Sequence, residues 1–79
     1  MSIDTGSTAL IGLKWAVSVD GCEARVVNRQ TGDVFWTSVY RFPIGNRVGQ
    51  RWTSGVEDCT GAVPAHVKAR ARSLARTLS

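Results

Sequence analysis

The clearest structural signal in the chain is ALIGLKWAVSVDGCEARVV, residues 9–27. From Ile11 to Val19, apolar side chains alternate with small or polar ones, and this period of two predicts a β-strand with one buried face. Asp20-Gly21 follows, and this residue pair favours a two-residue hairpin turn. We therefore predict a β-hairpin whose apolar face holds the cross-strand pairs Val19–Cys22, Val17–Ala24 and Trp15–Val26.

A second turn, Gln30–Asp33, leads into Val34–Phe42, a stretch rich in aromatic and β-branched residues that predicts a third strand. Side chains alternate between the faces of a sheet, so the parity of this loop decides which face each residue occupies. We favour an even loop, which buries Phe35, Thr37 and Val39. The opposite face then carries aromatic and basic side chains, namely Trp36, Tyr40, Lys14, Arg25 and Arg29. An odd loop or a bulge exchanges the two sets.

The remaining residues predict a short edge strand and a helix. Pro43 ends the third strand, and residues 47–53 are a candidate fourth strand, with Val48, Gln50 and Trp52 on one side. Pro64 suits the first turn of a helix, because its missing N–H needs no partner there. The helix that follows has an amphipathic face, formed by Val67, Ala71, Leu74 and Leu78.

The fold class that follows is α+β in a single domain, residues 1–79, with residues 1–8 as a flexible N-terminus. We predict an antiparallel sheet of three to four strands, at about residues 9–20, 22–29, 34–42 and, as the fourth, 47–53. One C-terminal helix, at about residues 64–78, packs on one face. The other face stays open, and an exposed aromatic face of this kind marks a partner site or a homodimer interface.

The net charge of +4 arises from one end of the chain. Residues 1–58 carry six basic and six acidic side chains and are neutral. Residues 59–79 contain no acid and four basic side chains: Lys68, Arg70, Arg72 and Arg76. This asymmetry favours an acidic partner such as nucleic acid or an acidic protein surface. The alternative is a solvated basic face that only aids solubility.

The residue types that chemistry needs are scarce, so we predict no catalytic residue, no metal site and no cofactor. His66 and Cys59 are the only nucleophile–base candidates, and Asp58 beside Cys59 disfavours a thiolate. Zinc takes four ligands, which two cysteines and one histidine do not supply. We expect Cys22 and Cys59 to be free, buried thiols rather than a disulfide. With no leader-like start and no long apolar run, we expect a cytoplasmic protein without a membrane partner.

Aromatic and basic residues interleave along the third and fourth predicted strands. Arginine supplies paired donors for phosphate or carboxylate, and tryptophan and tyrosine are typical interface residues. The candidate binding residues are Lys14, Arg25, Arg29, Trp36, Tyr40, Arg41, Arg47, Arg51, Trp52, Lys68, Arg70, Arg72 and Arg76. The alternative is that Trp36 and Trp52 belong to the core beside ordinary surface arginines.

The chain resembles the small phage and mobile-element proteins that include the anti-CRISPR inhibitors. The likeness lies in a single small domain, a short antiparallel sheet around Lys14–Arg41, one C-terminal helix and no catalytic residues. It implies a protein that docks on a CRISPR effector, a ribonucleoprotein complex, and prevents capture or cleavage of target DNA. The basic charge favours an acidic protein surface or bound nucleic acid as the docking site.

A second hypothesis is direct binding of DNA or RNA. The predicted sheet and helix resemble the integrase arm-binding domains, whose sheets enter the major groove. This resemblance implies that Lys14, Arg25, Arg29 and Trp36 face the nucleic acid. The helix row Lys68, Arg72 and Arg76 would instead contact phosphates, with little sequence preference and a strong dependence on salt.

Overall fold

The computed structural model describes residues 6–78, and their order along the chain is mostly strand followed by one helix. The strands are β1 Gly6–Ile11, β2 Trp15–Asp20, β3 Glu23–Asn28, β4 Val34–Phe42, β5 Gly45–Val48, β6 Thr53–Ser54 and β7 Glu57–Asp58. A 3-10 turn, Thr60–Ala62, precedes α1, Ala65–Thr77. The sheet is antiparallel in the order β1-β2-β3-β4-β6-β7, and β5 also pairs with β4. The α+β class is confirmed, with more strands than the pattern predicted.

The prediction of one strand over residues 9–20 is wrong, because a tight turn at residues 12–14 divides it into β1 and β2. Gly12 enables this turn with a φ of +63°. Ile11 pairs directly with Trp15, so both lie on the same face and the alternation continues across the break. Leu13, which the pattern placed on the buried face, is 88% exposed at the turn. Residues 6–8 belong to β1, and the prediction of flexibility for residues 1–5 lies outside the described part of the chain.

The β2–β3 hairpin is confirmed, with a register two residues away from the predicted one. Gly21 and Cys22 form the turn, and Val17 pairs with Val26 instead of Ala24. Gly21 has a φ of +62°, and placing it first in the turn spares Asp20 from a left-handed conformation. A shift of two residues preserves the faces. Cys22 is exposed at the turn, so its predicted burial is wrong.

The loop between β3 and β4 is even, as favoured. Val27 pairs with Val34, and six residues separate them. Asn28 organises this loop: its side-chain oxygen accepts hydrogen bonds from the N–H groups of Gln30 and Thr31, at 3.0 and 3.3 Å. The buried face of β4 consists of Phe35, Thr37 and Val39, as expected.

The candidate strand 47–53 is interrupted. β5 and β6 both pair with β4, but the segment between them bulges away from the ladder. Gly49 allows this segment to come close to β4, since a Cβ at this position would lie 2.9 Å from Oγ1 of Thr37. That hydroxyl donates a hydrogen bond of 2.7 Å to the carbonyl of Arg51. As a result Trp52 is buried, whereas Gln50, expected on the same side, is exposed.

The helix covers one face of the sheet, where it packs mainly against β5 and β2. Pro64 is the N-cap of α1, one residue before the predicted first turn. The helix residues that enter the core are Val67, Ala71, Leu74 and Ala75. Leu78 follows the helix and is 38% exposed, so it contributes less to the apolar face than its spacing predicted. No helix in the described residues is long and apolar enough to cross a membrane.

Candidate binding face of the sheet

The face of the sheet opposite α1 forms the candidate site, and we call it the open face. The pleat places alternate residues of each strand on it. Its members are exposed or half-buried, and the central ones are Ser18, Arg25, Val27, Trp36, Ser38, Tyr40, Phe42, Arg47 and Thr53. Tyr40 and Phe42 are 53% and 49% exposed. An apolar and aromatic surface of this kind on a small domain usually has a binding role.

Two aromatic residues of β4 each have an arginine directly across the ladder. Arg25 on β3 is opposite Trp36, and Arg47 on β5 is opposite Tyr40. Directly opposed residues have Cβ atoms about 4.5–5.5 Å apart, so each pair is in contact range. The guanidinium of Arg47 also lies 5.5 Å from the ring centroid of Phe42. Trp36, Tyr40 and Phe42 form a row along β4 with Arg25 and Arg47 on the neighbouring strands, and we call these five residues the aromatic–arginine strip.

A shallow concavity of about 520 Å³ lies beside the strip, and Trp36, Ser38, Tyr40, Gly49 and Arg51 are among its lining residues. Ser38 is the small residue between Trp36 and Tyr40 on the same side of β4. Gly49 leaves room for the tyrosine ring, because a Cβ there would meet Cε2 of Tyr40 at 3.3 Å. The lining mixes aromatic surface with hydroxyl, amide, carboxylate and guanidinium groups, which suits a flat ligand that carries polar edges.

Two arginines of this region are held by exposed ion pairs. Arg25 lies 3.4 Å from Glu23, and Arg51 lies 3.2 Å from Asp58. Hydrogen bonds from Thr60, followed by the nearby Arg51, hold the pKa of Asp58 below its usual value of 3.8. Exposed pairs are worth only about 0–1 kcal/mol, so a stronger anionic ligand can displace the carboxylates. Arg25, Arg47 and Arg51 lie around the strip, and two of them, Arg25 and Arg51, pair with the exposed carboxylates of Glu23 and Asp58.

Lys14 and Arg29 lie at the end of the sheet where β4 begins, away from Tyr40 and Phe42 at its other end. Lys14 is in the β1–β2 turn rather than on the sheet face, and its ammonium lies 5.8 Å from the Trp15 ring centroid. The N–H of Arg29 donates a 2.6 Å hydrogen bond to the carbonyl of Lys14. Both side chains are exposed, but the structure does not join them to the strip.

Trp52 and Arg41 leave the candidate surface. Trp52 is 1% exposed and belongs to the core, so its assignment as a binding residue is wrong. The bulge after Gly49 turns its side chain inward. Arg41 is exposed but pairs with the buried Asn46 on the helix side of the sheet, near Leu78.

The basic helix residues form a separate surface. Arg70, Arg72 and Arg76 are exposed and Lys68 is half-buried on α1. The helix lies against the other face of the sheet, so side chains that point away from the sheet are on the opposite side of the molecule from the strip.

Phe42 is the aromatic residue of the strip that the sequence analysis did not include among the binding residues. Its spacing of two from Tyr40 within one strand was the available signal.

The described residues bring together few reactive groups. Within residues 6–78, no three His, Cys, Asp or Glu side chains are grouped to hold a metal ion. Cys22 and Cys59 are free thiols, the first exposed and the second half-buried. His66 is exposed in the first turn of α1. No family model matches the chain, and no curated protein or solved structure shows significant similarity to it.

Proposed function

We propose that this protein is a non-catalytic binding domain that docks on a negatively charged macromolecule through the open face of its sheet. The observation that carries the proposal is the repeated pairing across β4, Trp36 with Arg25 and Tyr40 with Arg47. Such pairs combine contact area with donors for anionic groups. Docking of this kind inhibits or adapts the complex that is bound.

The shape of the face supports a surface contact rather than catalysis. Enzyme and cofactor sites are usually enclosed clefts that bury most of their ligand. The concavity beside Tyr40 is shallow and open, and its lining combines two aromatic residues with polar and charged ones, Glu23 and Arg51 among them. We propose a cytoplasmic location and, from the general resemblance to anti-CRISPR inhibitors, a CRISPR effector ribonucleoprotein as one such complex.

A second candidate function is phosphate binding by the helix. Residues 59–79 carry four basic side chains and no acid. Like charges one turn apart on a helix repel each other, so an anionic ligand would relieve that cost. This surface lies on the other side of the molecule from the strip, so the two candidates are separable by mutation.

Affinity capture from host cells, with and without nuclease, tests the proposal. Two variants of equal net charge are compared: Arg25→Ala with Arg47→Ala on the open face, and Arg70→Ala with Arg72→Ala on α1. All four side chains are exposed, so both variants should fold, as circular dichroism would verify. We expect the helix variant to retain the partner and the sheet variant to lose it. Loss of the partner by the helix variant alone, or equal retention of the partner by both variants, contradicts the proposal.

A further inference from the structure

We propose that the open face binds single-stranded nucleic acid, with bases stacked on Tyr40, Phe42 and Trp36 and phosphates bound by Arg25 and Arg47. This inference rests on the proposed function, in which the open face is the docking surface. It adds the chemical class of the partner.

The linear arrangement of the strip matches a linear polyanion. Residues two apart on a strand are about 6.6 Å apart, which places Tyr40 and Phe42 as neighbouring platforms and Trp36 about 13 Å from Tyr40. The arginines flank this line from opposite sides, Arg25 from β3 and Arg47 from β5. A strand of nucleic acid that follows β4 therefore meets aromatic surface along its centre and positive charge along both sides.

The exposed aromatic side chains favour a single strand over a duplex. In a duplex the faces of the bases are covered by their neighbours, whereas a single strand presents them for stacking on aromatic rings and guanidinium planes. Half of the surface of Tyr40 and of Phe42 is accessible. Arg47 lies over Phe42, so a base there can stack on the guanidinium or on the ring.

The concavity beside Ser38 supplies polar groups for base edges. Ser38 and Gln50 are exposed and Thr53 is half-buried, and all three line it together with Trp36 and Tyr40. Their hydroxyl and amide groups both donate and accept hydrogen bonds. A base between Trp36 and Tyr40 would thus find stacking surface and hydrogen-bonding partners in one place.

Charge complementarity supports the same partner. Arg25 and Arg47 lie on the open face on either side of β4, and Arg51 lines the concavity. The carboxylates that pair with Arg25 and Arg51 are exposed and on the surface, so phosphates can replace them at little cost. An acidic protein surface would use the same arginines, but a standard protein interface covers roughly 800 Å² on each partner. The strip has its three aromatic residues in a single row along β4, a shape that suits an extended chain.

The test is fluorescence anisotropy of a short labelled oligothymidylate and of a duplex of equal length, measured over a range of salt. We expect the single strand to bind more tightly than the duplex. The logarithm of affinity should fall with the logarithm of salt with a slope of about −0.7 per phosphate bound. Tyr40→Ala should weaken binding by about tenfold or more, since a lost base stack has that effect. Tyr40→Phe keeps the ring and should bind like the wild type.

Tryptophan emission provides a second readout, because Trp15 and Trp52 are buried and Trp36 is the half-buried one. Bound oligothymidylate should quench Trp36, and Arg47→Ala should weaken the effect without changing the fold. Equal binding by the wild type and Tyr40→Ala overturns the inference, as does equal affinity for duplex and single strand. If no oligonucleotide binds while capture still depends on the open face, the partner is an acidic protein and only the inference fails.

Discussion

At the scale of single residues, Trp52 closes the core beneath the edge formed by β6 and β7. The backbone N–H of Trp52 donates a 2.9 Å hydrogen bond to Oγ1 of Thr60, and its backbone carbonyl accepts a 2.7 Å hydrogen bond from the N–H of Cys59. The indole is fully surrounded at 1% exposure. Trp52 thus connects the loop before the helix to the sheet, and its side chain is too deeply buried to contact a partner.

Trp52→Ala should therefore lower the free energy of unfolding by about 3–5 kcal/mol, the usual cost of removing a buried aromatic side chain. For a small domain this is a large share of the total stability. Urea unfolding followed by circular dichroism measures it. Trp36→Ala is the matched control, and because Trp36 is half-buried we expect a clearly smaller loss. Equal losses would contradict the assignment of Trp52 to the core and Trp36 to the open face.

Asp58 gives the molecule an acid-sensitive contact. Its carboxylate accepts hydrogen bonds from the hydroxyl and the N–H of Thr60, at 2.6 and 3.0 Å, and lies 3.2 Å from Arg51. These groups favour the ionised form and lower the pKa of Asp58 below 3.8. The ionised carboxylate therefore stabilises the fold above that value, and this stabilisation is lost as the pH falls through the folded pKa.

Asp58→Asn should remove this pH dependence. We expect the wild type to be more stable than the variant near neutral pH, and the difference to shrink as the pH falls below 3.8. Thermal unfolding at a series of pH values measures the difference. Glu57→Gln removes the same charge one residue away and serves as the control. A difference between wild type and Asp58→Asn that stays constant down to pH 2 would argue against the carboxylate as the cause.

At the scale of elements, α1 begins without electrostatic support and ends with it. Pro64 offers no side-chain hydrogen bond to the first turn, and that turn contains no acidic residue. Arg76 lies in the last turn, where the helix dipole favours a cation. The start of the helix is thus its weaker end, and its position depends on the packing of Val63 and Val67 in the core.

Ala65→Glu should stabilise the protein by about 0.3–1 kcal/mol, because a carboxylate in the first turn complements the positive end of the helix dipole. Lys68, three residues further on, adds a favourable pairing. Chemical denaturation compares this variant with Ala65→Gln, which has the same shape without the charge. The advantage of glutamate should decrease at high salt. No advantage at low salt would show that the first turn gains nothing from negative charge.

At the scale of the whole molecule, the basic residues of the helix and the aromatic residues of the sheet lie on opposite sides. It covers the sheet face that holds Val17, Val26 and Phe35, and its own basic residues point away from the sheet. The aromatic–arginine strip therefore lies on the other side of the domain. The segment that carries the net charge and the surface we propose for docking are different parts of the protein, which is why variants of equal charge can separate their roles.

Local patterns were sufficient for the class of fold. The alternation around Val17 predicts a strand, Gly21 predicts a hairpin turn, and the apolar spacing from Val67 to Leu74 predicts the helix. With an even number of residues in the loop before β4, the pattern also predicted the correct faces for Phe35 and Trp36. These predictions hold because pleat parity and helix periodicity depend on near neighbours, and a register shift of two residues leaves each face unchanged.

The neighbours across the strands, in contrast, follow from the tertiary structure. The predicted register placed Val27 opposite Trp36, whereas the structure places Arg25 there and so creates the aromatic–arginine strip. It also buried Trp52 behind the bulge at Gly49 and broke the first strand at Gly12. Cross-strand partners depend on loop length and on long-range packing against the helix. Alternation along a strand survives a shift of two residues, so the local pattern assigned most strand residues to a face. The turn at Gly12, the bulge at Gly49 and the register that brings Arg25 beside Trp36 depend on long-range packing, which no local pattern contains.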